Sequence, residues 1–410
     1  MIKPTVAVVG AGIAGMSAAY WLHEAGFSVH VYESESDVAM QTSRANGGQI
    51  SACNSAVWST WPQIWKALGW ILDPRAPFRI KPTLEWRKIR WLAQFVAETM
   101  KSDADERTTQ TIQWVLESAQ VVQQITQRHG LQYDQVHKGI LHVYDDHTTW
   151  RKGQQAKHLF EQAGCDWQIL DAPACRELEP SLTYWHNLLG GCYTHHDFTG
   201  NMHDFCRQLR QVLTQQGVSF YLNTPVHDVM PHEDHVMVNH VSYDHVVLAT
   251  GYHVTKLFKS LHLDLGIYPV KGYSVTIQLE DGVSQAHAPW VSLLDERTKI
   301  VCTRLGKHEL RLAGTAELAG ENLDITRARI EPLLDWCADH FPQVHVRNYS
   351  SWACLRPMTA DQLPRVGQTA YFNRVWLNMA YGHLGWSMAP GRSKWLAHMM
   401  AQHAGLKITT

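Results

Sequence analysis

Apolar positions near the N-terminus switch between two periods. Thr5–Val9 is a short β-branched run that predicts a buried strand, 16–25 carries a helical pattern, and Ser28–Tyr32 returns to strand. Gly10, Gly12 and Gly15 stand between the first strand and the helix, and Glu33 closes the second strand. Further on, helices are predicted over 62–72, 84–100, 108–128, 150–163, 201–216 and 326–340, with a terminal helix running to about 404. Strands are predicted over 139–144, 165–170, 219–223, 245–249, 268–279, 299–305, 309–317 and 375–380, and 176–182 reads as a turn-forming linker. The β-α pattern of the N-terminus thus recurs in the middle and at the end, with antiparallel-looking segments inserted between. The fold class expected is α/β: a Rossmann-like nucleotide-binding domain assembled from 1–52, 190–263 and 352–410, and a second α+β domain on a mixed or antiparallel sheet from 53–189 and 264–351.

The first fifty residues carry specific chemistry. Strand, glycine turn, helix, second strand and acid form a complete dinucleotide fingerprint. Gly10 permits the tight turn, Gly12 lets backbone approach a pyrophosphate, and Gly15 lets the helix pack close to the strand. The helix N-terminus offers free N–H groups to phosphates. Glu33 can accept hydrogen bonds from ribose hydroxyls and would repel a 2′-phosphate. The almost uncharged stretch 5–22 has nearly the length of a membrane span. Three glycines in six residues argue against that, since each weakens a helix interior by about 1 kcal/mol relative to Ala. The loop 42–51 is small, polar and glycine-rich, fit to bring backbone N–H groups and Ser43 near a phosphate or a flat ring.

Composition narrows the classes. The chain has 410 residues, a net charge of −2 and an apolar fraction of 45%, so it can bury large cores and exerts no strong pull on nucleic acid. Its eight Cys, at 53, 165, 175, 192, 206, 302, 337 and 354, include no CxxC pair. That favours reduced thiols in a cytoplasmic compartment over a disulfide framework or a zinc site, and no metal is expected. The 17 Trp are unusually many, and 58–100 holds Trp58, Trp61, Trp65, Trp70, Trp86 and Trp91 among Lys and Arg. This region reads either as a helical cover on the second domain or as an interfacial surface meeting anionic lipid.

Taken together, these segments resemble the D-amino-acid oxidase superfamily, and within it the bacterial D-amino-acid dehydrogenases, over nearly the whole chain. The markers are Gly10–Gly15 with Glu33, the 42–51 loop, 247–251 (VLATG), 268–273 (YPVKGY), 355–361 (LRPMTAD) and 384–387 (LGWS). The resemblance implies FAD as cofactor. It places Gly10, Gly12, Ile13, Ala14, Gly15, Glu33 and Ser34 at the dinucleotide. It puts Ser43, Arg44, Ala45, Asn46, Gly47, Gly48, Gln49 and Ile50 along the pyrophosphate and isoalloxazine. It sets Val226 near the adenine, Ala249, Thr250 and Gly251 beneath the dinucleotide, and Gly382, His383, Leu384, Gly385 and Trp386 at the flavin edge.

The same resemblance implies that Arg356 clamps a substrate carboxylate, its planar fork matching two oxygens. Tyr273, Tyr381 and His383 complete the expected catalytic set, with no obligatory side-chain base. The expected reaction oxidises the Cα–N bond of a D-amino acid and passes electrons to a quinone-type acceptor, with peripheral contact at the inner membrane through 58–100. Two departures put the substrate in doubt: the chain has Tyr381 and His383 around Gly382 where the dehydrogenases have Gly-His-Gly, and Ala52-Cys53-Asn54 where they have Pro-Gly-Tyr. A glycine- or sarcosine-type amine oxidase using O2 is the alternative enzyme. Cys354 matches the position where that branch joins flavin covalently, with Arg356 two residues on to lower its pKa, although the rest of the chain follows the non-covalent branch. A flavin-binding RNA-modification module is the alternative of another class, disfavoured by the near-neutral charge.

Overall fold

The computed structural model describes residues 3–56, 76–253, 261 and 263–406. The Thr5–Val9 strand is the hub of a six-stranded sheet. Ser28–Tyr32 and His245–Leu248 flank it in parallel, Ser219–Tyr221 and Val375–Met379 extend it in parallel on either side, and Arg365–Gln368 closes one edge antiparallel. Parallel strands are covered on both faces, and Val6–Val9 and Val246–Leu248 accordingly read as continuous apolar runs. Helix Ile13–Glu24 packs against the terminal helix Gly385–His403. Gly391 lets that terminal helix touch the long helix Ala104–His129, since a Cβ there would stand 3.0 Å from the Ser118 backbone. Val115, Val122, Leu396 and Ala397 fill the shared core.

The larger sheet has nine strands and mixed sense. Its order is Tyr349–Thr359, Ile267–Gln278, Glu309–Leu318, Val301–Leu305, Ser292–Asp295, Ile140–Tyr144, Gly190–Thr194 and Gln168–Asp171, with Phe78–Ile80 beside Glu309–Leu318. Ser292–Asp295 with Ile140–Tyr144, and Phe78–Ile80 with Glu309–Leu318, are parallel pairs, and the others are antiparallel. Strand periodicity sorts its side chains between two faces. Tyr273, Val275 and Ala353 enter a core shared with Leu333 and Trp336 of helix Arg327–His340. Cys354, Arg356 and Met358 alternate to the opposite face, toward the dinucleotide fingerprint.

The boundaries expected at 190 and 352 both fall at strands of this larger sheet, Gly190–Thr194 and Tyr349–Thr359. The segment read as a linker over 176–182 is instead helix Ala172–Leu178 and a 3-10 turn Pro180–Tyr184. Asp171 caps the first by accepting from the Ala174 N–H, and Glu179 caps the second through Ser181 N–H. The helix expected over 150–163 is two, His147–Gln155 and Lys157–Gln162, the first capped by Asp146. The predicted helix over 62–72, with Trp58, Trp61, Trp65 and Trp70, lies outside the described residues.

Candidate functional site

The cradle begins where strand meets helix. Gly10 has φ +97°, and a Cβ there would stand 2.6 Å from the Ala249 carbonyl oxygen. A Cβ on Gly15 would fall 1.8 Å from the Gly10 carbonyl oxygen, so only glycine lets the helix approach its strand. Helix Ile13–Glu24 has no cap from its own Gly12 and no acidic residue in its first turn, and its Ile13 N–H is taken by the neutral Ser43 hydroxyl. Its N-terminus is thus kept positive and available for an anion. The Glu33 carboxylate is buried and held by three donors: Ala11 N–H at 2.7 Å on Oε2, and Ser34 Oγ–H and Glu35 N–H, each at 3.0 Å, on Oε1.

The 42–51 loop is fastened to both domains. Ser43 Oγ accepts from Ile13 N–H at 3.1 Å, Thr42 donates to the Leu355 carbonyl, and the Ala45 carbonyl accepts from Ser274. Gln49 donates through Nε2 to Ser292 Oγ at 2.9 Å, while its buried Oε1 has no partner among the described residues. Gly48 takes φ +73°, and its N–H donates to Asn46 Oδ1.

These walls enclose a cavity of about 1440 Å3. It is lined by Gly10, Gly12, Ile13, Ala14, Glu33, Ser34, Ser43, Ala45, Asn46, Gly47 and Gln49, by Val226, Ala249, Thr250 and Gly251, and by Gly382, His383, Leu384, Gly385 and Trp386. Gly15, Arg44, Gly48 and Ile50 stand behind its wall. Arg44 stacks over Trp352 at 4.9 Å, and Ile50 is wholly buried in the core. Helix Gly385–His403 starts at the cavity with no side-chain cap and no acid in its first turn, a second positive terminus facing it.

Arg356 lines the same cavity and has no ion pair to a carboxylate among the described residues. Gly272 on the adjoining strand leaves room for its guanidinium. Tyr273 also lines the cavity, while its ring packs into the core shared with helix Arg327–His340. Its hydroxyl donates to Glu317 Oε2 at 2.7 Å, and burial followed by this carboxylate pushes its pKa up. Tyr381 donates to Asn378 Oδ1, and Asn378 in turn donates to the Ala14 carbonyl and Ser393 Oγ. The Tyr381 hydroxyl is therefore tied to the two packed helices, although its residue lines the cavity. Sequence reasoning did not mark Asn378, and an Asn in an apolar strand was the available signal.

His383 Nε2 lies 3.4 Å from the Asn54 carbonyl oxygen, an acceptor, which assigns the proton to Nε2. Burial and then the Arg356 charge push its pKa down to about 3, so the imidazole is neutral at pH 7. Asn54 N–H donates to Ser51 Oγ at 3.1 Å, and the two residues before it are held by Asp197, a buried carboxylate that sequence reasoning passed over. It accepts from Ala52 N–H at 3.0 Å, Cys53 N–H at 3.4 Å and Thr194 Oγ–H at 2.9 Å. Cys354 stands beside Gly272 in the register. Its thiol pKa is raised, because burial outweighs the lowering by Arg356; the expected net lowering is not what the surroundings produce.

The profile of a family described as FAD dependent oxidoreductase (DAO) matches residues 5–399. The chain belongs to this family. As an FAD-dependent oxidoreductase it has close relatives in sequence. It is 37% identical to D-amino acid dehydrogenase 3 of Mesorhizobium japonicum over 97% of both chains, and 33% identical to D-amino acid dehydrogenase of Dechloromonas aromatica over 97% of this chain and 96% of the other. In structure the oxidoreductase is similar to glycine oxidase from Bacillus cereus, with TM-score 0.72 and 19% identity over 97% of this chain and 95% of that one. It is equally similar to L-proline dehydrogenase from P. horikoshii, with TM-score 0.72 and 14% identity over 99% and 94%.

The residues fit the cofactor of the family. The close approach permitted at Gly10 and Gly12, the helix N-terminus free of acidic residues, the acid at Glu33, and Gln49 Oε1 and Thr250 Oγ1, unpartnered among the described residues, fit a phosphate, ribose and ring system. The cavity also exceeds the roughly 300–1,000 Å3 of an ordinary small-molecule site, leaving room for a substrate beside a dinucleotide.

Proposed function

We propose that this enzyme oxidises the Cα–N bond of a D-amino acid and passes the electrons to a quinone-type acceptor at a membrane surface. The observation that carries the reading is Arg356, a guanidinium in the cavity wall with no described carboxylate to pair it. Among sequence relatives at 32–37% identity, five are named D-amino acid dehydrogenase.

Bound in the cradle, FAD supplies a two-electron acceptor for the hydrogen leaving Cα. The protein's part is placement. Arg356 holds the carboxylate by two parallel N–H bonds, which fixes Cα rather than merely attracting charge. The N-terminus of Gly385–His403 offers N–H groups to negative charge that develops beside it. His383, neutral and turned to Asn54, leaves Arg356 as the cation at the carboxylate. With the amine neutral, no side chain needs to remove a proton in the step that breaks the Cα–H bond. The imino acid product then hydrolyses to a 2-oxo acid and ammonia.

Contact with a membrane rests on helix Trp86–Thr99. Trp86, Ile89, Val96 and the following Met100 are exposed along one side, with Leu84 fully exposed before them. Among the described residues no helix is long and apolar enough to cross a membrane.

Anaerobic bleaching of the flavin by a panel of D-amino acids, L-amino acids and N-methyl amines tests the substrate. Bleaching by D-amino acids is expected. Bleaching by N-methyl amines alone would overturn the reading. Peroxide release under air in place of quinone reduction would overturn the acceptor.

A further inference from the structure

The cavity continues past Arg356 into an apolar chamber. Val270 is the registered neighbour of Arg356 on the next strand, and Met358 follows two residues on along the same face. Side chains so paired have Cβ atoms roughly 4.5–5.5 Å apart, within reach of one amino acid whose carboxylate lies on the guanidinium. Phe78, Ile80, Leu92 and Phe95 continue the lining beyond them.

Each of these residues is set by an element of its own. Phe78 and Ile80 come from the short strand in register with Ala316 and Leu318. Leu92 and Phe95 come from helix Trp86–Thr99, which Trp91 anchors. The Trp91 indole N–H donates to the Met358 carbonyl at 3.0 Å, and its ring stacks on Phe95 with centroids 5.3 Å apart. The other charged residues of the described lining, Glu33, Asp146, Lys152, Glu296, Arg297 and Lys299, stand at the fingerprint or next to strands Ile140–Tyr144 and Ser292–Asp295, several strands away from Arg356. Nearby ionisable groups are turned elsewhere: Lys88 donates to the Lys81 carbonyl and Thr83, and Glu317 accepts from Tyr273.

We propose that this chamber receives the substrate side chain, and that the enzyme prefers D-amino acids with large apolar side chains, aromatic or branched aliphatic, to D-alanine and to charged D-amino acids. The inference rests on the D-amino-acid reading and adds the side-chain class. A carboxylate anchored at Arg356 leaves the side chain beside Val270 and Met358. A methyl group leaves the aromatic lining uncovered, and a charged group meets no counter-charge there.

The test compares kcat/KM for D-phenylalanine, D-leucine, D-alanine, D-aspartate and D-lysine, with Phe95→Ala as the variant. D-Phenylalanine or D-leucine should exceed D-alanine by at least ~30-fold, since each methylene in an apolar pocket discriminates by about 10–200-fold. Phe95→Ala should raise KM for D-phenylalanine about tenfold more than KM for D-alanine, with kcat for D-phenylalanine nearly kept, because side-chain burial is common to ground and transition states. Equilibrium titration of the flavin spectrum with phenylacetate and acetate gives a reading independent of turnover, and phenylacetate should bind at least tenfold tighter. Equal affinities, or D-alanine matching D-phenylalanine, overturn this inference and leave the D-amino-acid reading standing. Failure of every D-amino acid to bleach the flavin overturns both.

Discussion

Arg356 lies against Gly272 of the neighbouring strand so closely that a Cβ there would stand 2.4 Å from its Nη2 and 2.5 Å from its Cζ. On the proposed function the glycine is thus part of the carboxylate site, although it carries no functional group. Gly272→Ala must push the guanidinium aside. The expected result is a 10–100-fold fall in kcat/KM, about 1.4–2.7 kcal/mol of transition-state binding, with FAD content unchanged. Steady-state kinetics with a flavin absorbance ratio checks it. Wild-type kinetics would show that Arg356 has another productive position.

Arg356→Lys tests the fork directly. Lys retains the charge but offers a single point donor. A loss of at least ~2–3 kcal/mol in kcat/KM is expected, the scale of hydrogen bonds to charged groups. The fall should be similar for all amino-acid substrates, since each presents the same carboxylate. Loss confined to one side-chain class would point to a packing role.

How much of this was legible beforehand depended on whether a feature was local. Gly10, Gly12, Gly15 and Glu33 declare themselves in sequence because a tight turn, a close helix and a ribose acceptor are short-range demands. Arg356 was legible through its Arg-Pro pair. Tyr273 was named as a substrate partner; it lines the cavity, but its hydroxyl is held by Glu317, a partner 44 residues away that no local pattern announces. Asp197 and Asn378 act across more than a hundred residues of sequence, on Ala52 and on Ala14; the one local sign, an Asn in an apolar strand, marks a buried polar residue without naming its task. The apolar chamber draws on three strands and a helix and has no linear signature.

His245 couples stability to pH. It is buried in the smaller sheet beside Trp376 and His403, its Nδ1 has no partner among the described residues, and burial followed by the His403 and Arg374 charges pushes its pKa down to about 4. Between that value and the unfolded one near 6.5 the unfolded chain binds the extra proton, so stability is full above pH 6.5 and falls as pH drops. The contribution lost from pH 7 to pH 5 is on the order of 2 kcal/mol, from 1.36 kcal/mol per pKa unit. His245→Asn should lower Tm at pH 7 yet show a shallower fall toward pH 5. Parallel curves for the two proteins would remove His245 as the cause.

Cys354 decides how the cofactor is held. Attack on a flavin methyl requires the thiolate, and burial raises the thiol pKa despite Arg356 nearby. A non-covalent FAD is therefore expected: acid precipitation should give a yellow supernatant and a colourless pellet. Colour that stays in the pellet and is lost in Cys354→Ala would establish the bond and favour the secondary-amine oxidase.

The exposed stripe on helix Trp86–Thr99 predicts where the protein meets a bilayer. Trp86 and Met100 are each 74% exposed and Leu84 100%, on the helix whose buried side carries Trp91. Arg87 and Arg90 are engaged with Glu321 at 3.5 Å and Asp264 at 2.5 Å, so their charge is largely compensated. Attachment should then rest more on apolar insertion than on charge, and so survive moderate salt. Flotation with anionic liposomes at about 0.05 and 0.3 M salt tests both statements, using Leu84→Ser/Trp86→Ser as the variant. The parent should float at both salt concentrations and the variant at neither, while the two bleach equally with a D-amino acid in solution. Flotation of the variant like the parent, or of neither protein, would return this helix to the role of a cover over the substrate chamber.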